Sequence, residues 1–369
     1  MSLSEKLFYF DLAPPSWSLP AWLKRTRSAR LPAVHGLEAQ WHCTWPEDTR
    51  LSGEIRRLLN LQRAPTAFQS SAWQKALSWP YSRARRYHLL TLHDGDEITG
   101  VLPLWRRQSG VLEVAGSMVS DYLEPLFGGR DARSMWIACL RALEHVPGPG
   151  VTRLVLHNIR KECFDYESLV SAARETGFRA SMEENAVISR IPLAATWDQY
   201  LAGLSPHDRK ELRRKLRNAE TRAGAQLSIA QGKEDVPAAL DKTFTFMRQG
   251  GWTKSMKVQW AYRPLFNRAL CDLVREGWLE VYMLRLEGRD VAGLICFPSP
   301  LGPLLWGAGF DVTARSWSPG IVLFGMAIRR AIEGGARYFD LMRGEARYKN
   351  NLGSVDSPIY RVTLDRAGA

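Results

Sequence analysis

The sequence lacks the features that mark membrane-spanning, disulfide-rich or zinc-binding proteins. Its most apolar stretch, residues 291–306, is interrupted by three prolines, whereas a bilayer span needs about 20 apolar residues. No charged-then-apolar signal segment opens the chain, so we expect a cytoplasmic protein without a transmembrane segment. The five cysteines are scattered and no pair has metal-ligand spacing, which predicts buried free thiols and no metal site.

Composition and charge narrow the class of protein further. The chain has 369 residues, of which 45% are hydrophobic and 24% are charged, as expected of a folded protein with two domains. The formal net charge is +12, from 50 Lys and Arg against 38 Asp and Glu. This excess suits polyanions, namely nucleic acid, a phosphorylated cofactor, an anionic glycan precursor or the inner membrane surface, and it selects none of them. The histidines form no H-x-x-x-H or triad spacing.

An internal repeat is the most informative feature of the sequence. Residues 88–105 and residues 280–297 each read as two strands of alternating apolar residues joined by a tight turn. Aligned on the turn glycines, Gly95 and Gly288, both segments fit the pattern G-x-x-[IV]-[AT]-G-[VL]. The repeat predicts that the chain contains two copies of one fold.

The elements that follow each hairpin occur in the same order. Each hairpin precedes a strand, a helix and a further strand, at 111–118, 134–145 and 153–159 in the first half and at 304–310, 320–333 and 337–342 in the second. An ordered run of repeated elements indicates duplication and predicts an α/β (mixed α+β) chain. We expect an N-terminal extension that packs on the body, residues 1–62, a first domain at 63–198 and a second at 199–369.

The residues after strand 304–310 suit an anion. Ser318 is a good N-cap, Pro319 is tolerated in a first helical turn, and Gly320 lets a ligand approach the backbone. The unpaired N–H groups at a helix start, together with the helix dipole, favour an anion such as a pyrophosphate, and Arg315 adds a nearby charge. The same residues would also cap a helix after a loop in any α/β protein.

Polar groups crowd the chain after the last repeated strand. They are Asp340, Arg343, Tyr348 and Lys349. In open α/β sheets, ligands bind outside the carboxyl ends of strands, where charged and hydroxyl groups can position a substrate and move a proton. A solvated polar loop is the alternative interpretation.

A basic helix is predicted at residues 209–220. Ser205 and Asp208 resemble a capping box before it, and apolar residues recur at helical spacing along it. Four of its cations are Lys210, Arg213, Arg214 and Arg217. A solvated surface helix and a surface that contacts phosphates, of a cofactor, a nucleotide- or lipid-linked sugar or a tRNA, are both open interpretations.

Several of these segments resemble the CelD/BcsL family of GNAT-like acetyltransferases. The matching runs are F-Q-S-S-A-W and D-Y-L-E-P-L-F in the first half, and S-P-G, G-G-A-R-Y-F-D-L and R-G-E-A-R-Y-K in the second. The resemblance covers roughly residues 65–365. It implies two tandem GNAT-like domains, each a mixed, largely antiparallel twisted sheet flanked by helices, with a fold related to the Fem-type peptidyl transferases.

The resemblance implies transfer of an acyl group from acetyl-CoA, or another acyl-CoA, to an amine or hydroxyl acceptor. Gly307 and Gly309 then correspond to the strand that binds the pantetheine arm. The pyrophosphate corresponds to the helix start at Ser318, Pro319 and Gly320, with Arg315 and Arg343. The usual GNAT phosphate loop, [QR]-x-x-G-x-[GA], is absent, and 315-RSWSPG-320 keeps only its outline, which leaves the donor open.

The resemblance also implies catalytic roles. Tyr348 corresponds to the tyrosine that protonates the departing thiolate. Asp340 and Glu345 are candidate general bases, and Lys349 is a further catalytic candidate. The first copy lacks the Ser-Pro-Gly helix start, so we expect its job to be completing the core without a cofactor.

Three functions from different classes follow. The first is an acyl-CoA-dependent transferase in polysaccharide or cell-envelope metabolism. The second is a Fem-type transferase that uses aminoacyl-tRNA, which the charge favours but the absence of a long helical arm does not. The third is a non-catalytic partner of a glycan-synthesis complex. We expect no nucleic-acid partner, because base-stacking aromatics are not interleaved with the arginines, and peripheral membrane contact stays open.

Overall fold

The computed structural model describes residues 29–83, 86–108, 110–250, 252–344 and 347–368. The chain forms two compact units, the first of residues up to 186 together with 358–369, and the second of residues 187–357. The first unit contains, in chain order, β1 (Ala29–Arg30), β2 (Glu38–His42), α1 (Thr49–Asn60), α2 (Ser71–Arg83), β3 (Tyr87–Asp94), β4 (Glu97–Gln108), β5 (Val111–Val114), β6 (Leu126–Phe127), α3 (Ala132–Ala142), β7 (Arg153–Ile159), α4 (Tyr166–Glu175) and the start of β8 (Phe178–Pro192).

The second unit begins within β8. It contains α5 (Trp197–Gly203), α6 (Pro206–Ala223), β9 (Gln226–Ala230), α7 (Val236–Arg248), α8 (Trp252–Lys257), α9 (Arg263–Arg275), β10 (Glu280–Leu286), β11 (Arg289–Phe297), β12 (Leu304–Phe310), α10 (Pro319–Glu333), β13 (Tyr338–Arg343), α11 (Arg347–Asn351) and the start of β14 (Val355–Arg366). A π-helical turn, Val258–Tyr262, joins α8 to α9, and a 3-10 segment, Val312–Trp317, precedes α10.

Each unit has a largely antiparallel sheet with helices packed on it, which confirms the predicted mixed α/β class. In the first unit the strand order is β1-β2-β3-β4-β5-β7-β14, and of these described neighbours only β5 and β7 are parallel. In the second unit the order is β8-β13-β12-β11-β10-β9, with β12 and β13 parallel. The parallel pair in each unit is joined by a helix, α3 or α10, as a parallel crossover requires.

Both units carry the same irregularity in the equivalent strand. In the first, Leu156 and Ile159 of β7 lie opposite Val362 and Tyr360 of β14, and in the second, Asp340 and Arg343 of β13 lie opposite Arg190 and Ile188 of β8. Each bulge contains a residue with left-handed backbone, Asn158 (φ 59°) or Met342 (φ 54°). A shared bulge at the same place supports the duplication inferred from sequence, because bulges are specific features of a fold.

The described part of the N-terminal extension belongs to the first unit. β2 pairs with β3, and Trp41 is buried with its Nε1 donating to the carbonyl of Ala142 at 2.9 Å. α1 begins at Thr49, is capped by Asp48, and buries its apolar face. Residues 29–62 therefore extend the sheet and core of the first unit. Trp17 and Trp22 lie outside the described residues.

The compact units differ from the predicted domains 63–198 and 199–369 in two respects. The boundary between the units lies between residues 186 and 187, whereas the predicted boundary, between residues 198 and 199, falls inside α5. The last strand, β14, pairs with β7 and so returns to the first unit. Within the described residues, no helix is long and apolar enough to cross a membrane.

The five cysteines are free, as predicted. Cys139 and Cys296 are buried, and burial raises the pKa of the Cys296 thiol well above its ordinary value. Cys271 is exposed on α9, so the prediction of buried thiols is wrong for this residue, because it occupies the solvent-facing side of an amphipathic helix.

Candidate functional site

The second unit has an opening between its two parallel strands. β12 and β13 share a single register pair, Leu304 with Asp340, while β12 remains paired with β11 along its length. Trp306, Gly307 and Ala308 are partly exposed although β12 is a central strand. Among the described residues, β13 therefore parts from β12 after Leu304, and a strand edge that parts from its neighbour can bind another extended chain through N–H and C=O groups.

β12 contains a bulge at this opening. Gly307 lies opposite Ile295 and Leu305 lies opposite Cys296, so Trp306 is an extra residue in β12. Its ring meets the rings of Tyr262 and Phe266 edge-on, with centroids 4.7 Å apart in both cases. Bulges and π-helical turns are both frequent at functional sites. Sequence reasoning missed Trp306 and Tyr262, because a bulge is visible only once the strands are paired.

Gly307 and Gly309 are required by a neighbouring helix. A Cβ on Gly307 would lie 3.1 Å from Cε of Met247, and one on Gly309 would lie 2.5 Å from the backbone N of Met247 and 2.9 Å from the backbone C of Phe246. α7 therefore closes this face of β12, and glycine is what allows it to pack there. The two glycines alone are no evidence for a donor, which would have to approach β12 from the side where β13 parts from it.

The helix start at Ser318 differs in detail from the expectation. Ser318 is the N-cap residue, but it has left-handed backbone (φ 52°, ψ 52°) and its side chain makes no capping hydrogen bond. The cause is the preceding 3-10 segment, which turns the backbone so that the Ser318 N–H donates to the Arg315 carbonyl at 3.0 Å. The predicted side-chain cap is therefore wrong, although Pro319 does open the helix as expected.

There is room beside Gly320 in the first turn of α10. A Cβ on Gly320 would meet only the ring of Phe310, at 3.7 Å, which is ordinary contact. The first N–H groups of a helix have no partner within it, and Arg315 is exposed on the adjoining 3-10 segment. The start of α10 can therefore accept an anion at its backbone.

Asp340 is buried at the position where β13 pairs with both Leu304 of β12 and Arg190 of β8. One carboxylate oxygen accepts from Nε of Arg190 at 2.9 Å, and the other accepts from the N–H of Met342 at 2.8 Å. These bonds hold the bulge in which Met342 is left-handed. The carboxylate is engaged in structure, so its role as a general base is not favoured by its surroundings.

Lys349 is also engaged in structure. It is only 4% exposed, and its ammonium donates to the carbonyls of Leu341 and Met342, both at 3.0 Å, tying α11 to the end of β13. Arg343, the last residue of β13, is half-buried. Glu345 lies outside the described residues.

Tyr348 lies close to the start of α10. Its ring stacks on Phe324, with centroids 5.2 Å apart and planes at 26°, and Phe324 follows Gly320 by about one helical turn. Burial raises the pKa of the Tyr348 phenol above its ordinary value. The phenol thus stays protonated near neutral pH and can donate a proton. Of the predicted residues, the structure brings Tyr348, Ser318, Pro319 and Gly320 to one end of α10.

The corresponding place in the first unit is filled by the chain itself. β5 and β7 share three register pairs where β12 and β13 share one. The loop after β5 is then held by the Asn158 amide, which donates to the Ser120 carbonyl at 2.9 Å, and by a buried ion pair between Arg160 and Glu124 at 2.9 Å. This loop lies against the end of β7, where the second unit has its opening.

A comparison with protein families matches most of the second unit. Residues 206–350 match the family model described as "Acetyltransferase (GNAT) domain". The match covers most of the second unit, so this part of the chain is similar to a GNAT domain. No curated protein matches the chain. Within the described residues, no group of three or more His, Cys, Asp or Glu is placed to hold a metal ion.

Solved structures share the fold of most of the chain. FemX is similar at a TM-score of 0.57 and 9% identity, covering 84% of this chain and 95% of its own. A conserved protein of unknown function from Bacteroides thetaiotaomicron is similar at 0.54 and 11%, covering 85% and 96%. The C-terminal domain (DUF2156) of a protein described as a lysylphosphatidylglycerol synthetase, from Agrobacterium fabrum, is similar at 0.52 and 14%, covering 84% and 91%. At these identities the likeness concerns the fold alone.

Proposed function

We propose that the second unit transfers an acyl group from acyl-CoA, with acetyl-CoA as the simplest donor, to an amine or hydroxyl acceptor. The observation that carries this proposal is the parting of β12 from β13 beside a helix that has room at Gly320 in its first turn. The gap between two parting strands suits a chain of amides, and a helix start suits a pyrophosphate. Acyl-CoA combines both groups in one molecule.

In the proposed reaction, the acceptor nitrogen or oxygen attacks the thioester carbonyl, forming the new C–N or C–O bond, and the C–S bond breaks. Tyr348 gives its proton to the leaving thiolate. The N–H groups of Gly320 and Ile321 bind the pyrophosphate, with Arg315 supplying charge. Asp340 and Lys349 act as positioning residues that hold the end of β13, and Arg343 stays a candidate donor contact. The proton of the acceptor leaves to a base that we do not assign.

The wider metabolic context of the proposed reaction comes from the sequence resemblance. The sequence resemblance to the CelD/BcsL family suggests a cytoplasmic enzyme of polysaccharide or cell-envelope metabolism. The loop that fills the first unit supports a donor site in the second unit alone. The aminoacyl-tRNA alternative rests on likeness to FemX, which concerns the fold, and the non-catalytic alternative rests on the missing phosphate loop.

Replacing Gly320 with Asp tests the donor site. The new carboxylate would repel the pyrophosphate, so we expect the affinity for acetyl-CoA to fall about tenfold or more, equivalent to about 1.4 kcal/mol. The fold should persist, because Gly320 has room for a side chain and an acidic residue in the first turn of a helix is favourable. Isothermal titration calorimetry measures the affinity, and thermal unfolding checks the fold.

Gly53→Asp is the matched control. Gly53 also lies in a helix, α1, and has no heavy atom within 4 Å of a Cβ built on it. Unchanged affinity in Gly53→Asp with lost affinity in Gly320→Asp supports the site. Unchanged acetyl-CoA affinity in Gly320→Asp would remove the helix start of α10 from the donor site.

A further inference from the structure

The basic helix predicted from sequence is α6, and it is fixed in orientation. Ser205 caps it, with its Oγ accepting from the Asp208 N–H at 3.1 Å. Its buried side chains include Leu212 and Leu216, which pack on Gly325 of α10. A Cβ on Gly325 would lie 3.0 Å from Leu212 and 3.1 Å from Leu216. This close helix contact determines which face of α6 points to solvent.

The outward face of α6 carries four positively charged side chains. Lys210, Arg213, Arg214 and Arg217 are all exposed, and at about 100° per residue they fall in a stripe about 100° wide, opposite the buried leucines. The stripe runs for about 10 Å along the helix. We call these four residues the cationic row. The acidic residues of α6 lie on its flanks and not within the row.

Repulsion between the charges of the cationic row destabilises α6. Residues three and four apart face each other on a helix, so the row contains four like-charge pairs, and each such pair is destabilising. The flanking acids offset the repulsion only in part. Glu211 accepts from Arg214 at 2.8 Å and 3.1 Å, and Asp198 lies 3.9 Å from Arg213. Lys210 and Arg217 form no ion pair in the described part of the chain.

We propose that the cationic row docks the second unit onto the anionic phosphates of phospholipid headgroups at a membrane surface. A row of exposed Lys and Arg complements such a surface, where each cation contributes about 1 kcal/mol of attraction. The binding is electrostatic and peripheral, because the apolar stripe of α6 is packed on α10 and cannot enter a bilayer. Arg329 of α10 donates to Glu220 of α6 at 2.8 Å, which neutralises an acid beside the row.

A lipid surface is favoured over RNA by what the row lacks. Single-stranded nucleic acid is bound by cations combined with aromatic side chains on which the bases stack. α6 contains no aromatic residue apart from His207 at its start. A row of cations without stacking partners suits a surface that offers phosphates and no bases.

Co-sedimentation with lipid vesicles tests the proposal. The full chain is mixed with vesicles of phosphatidylcholine alone, or with about one third phosphatidylglycerol, and the partition coefficient is measured. We expect binding to the anionic vesicles only. Replacing all four residues of the row with Gln should lower the partition coefficient on the order of a hundred- to a thousandfold. Raising the salt to about 0.5 M should lower it similarly, because the charges are exposed and screened.

A second variant with four substitutions distinguishes the effect of the cationic row on vesicle binding from the effect of net charge. Arg56→Gln, Lys161→Gln, Arg174→Gln and Arg179→Gln remove four exposed cations of the first unit, and we expect this protein to bind vesicles nearly as the wild type does. Equal loss in the two variants would overturn the proposal, because net charge alone would then explain binding. Binding to a short RNA hairpin with no binding to anionic vesicles would also overturn it.

Discussion

At the scale of single residues, the polar groups near β13 differ in what their atoms are free to do. Tyr348 offers a half-buried phenol stacked on Phe324, whereas Asp340 and Lys349 use their charged atoms to hold the bulge of β13. Sequence identifies all three as candidates for chemistry. It cannot tell them apart, because the bonds that engage Asp340 and Lys349 exist only once β13 is bulged.

Tyr348→Phe should separate the chemical step from binding. The variant keeps the stack on Phe324 and loses the proton donor, so we expect turnover to fall about ten- to a thousandfold with little change in KM. Because burial raises the pKa of Tyr348, loss of wild-type turnover by phenol deprotonation should begin only above the ordinary tyrosine pKa of about 10. Steady-state kinetics across pH measure both effects. Tyr338→Phe is the control, and equal turnover in all three proteins would make Tyr348 structural.

Asp340→Asn should cost stability. It removes the carboxylate charge that lies 2.9 Å from Nε of Arg190, whose side chain is 21% exposed. We expect the free energy of unfolding to fall by about 3 kcal/mol, the low end for a buried pair since Arg190 keeps some contact with water. Urea denaturation measures it, with Asp356→Asn as an exposed control. Unchanged stability combined with lost turnover would instead make Asp340 the general base.

At the scale of elements, Gly309 and Gly320 have different surroundings, although sequence alone does not distinguish them. Gly309→Ala places a Cβ within 2.5 Å of the α7 backbone, whereas Gly320→Ala has 3.7 Å of room. We expect Gly309→Ala to lower the free energy of unfolding by about 1–3 kcal/mol and Gly320→Ala to leave it nearly unchanged. Thermal unfolding of the two variants side by side measures the difference. Equal stability would contradict the account of why β12 contains glycine.

Most of the repeated elements could be predicted from sequence. The strands at 153–159 and 304–310 coincide with β7 and β12, and the basic helix ends close to its predicted limits. These elements depend on local patterns of apolar residues, which the sequence displays directly. The bulge at Trp306 and the parting of β12 from β13 depend on pairing between strands distant in the chain, so they could not be predicted.

At the scale of the whole molecule, the duplication was visible as an ordered repeat, but its boundaries were not. β2 and β14 both join the first unit, one from before the repeat and one from after the second copy. Neither pairing leaves a local signal. The loop that fills the end of β7 in the first unit likewise depends on Asn158 and Arg160 meeting residues some 40 positions away.

The identity of the donor is the central claim, and binding of two donors to the same preparation tests it most directly. Acetyl-CoA and bulk aminoacyl-tRNA are titrated over a range of salt concentrations, into the wild type and into the variant in which the cationic row is replaced by Gln. We expect acetyl-CoA to bind both proteins, with mild dependence on salt, because only a few phosphates are contacted. Submicromolar tRNA binding without acetyl-CoA binding, with a log–log salt slope of about −0.7 to −0.9 for each of many contacts, would contradict the account and favour an aminoacyl-tRNA-dependent transferase.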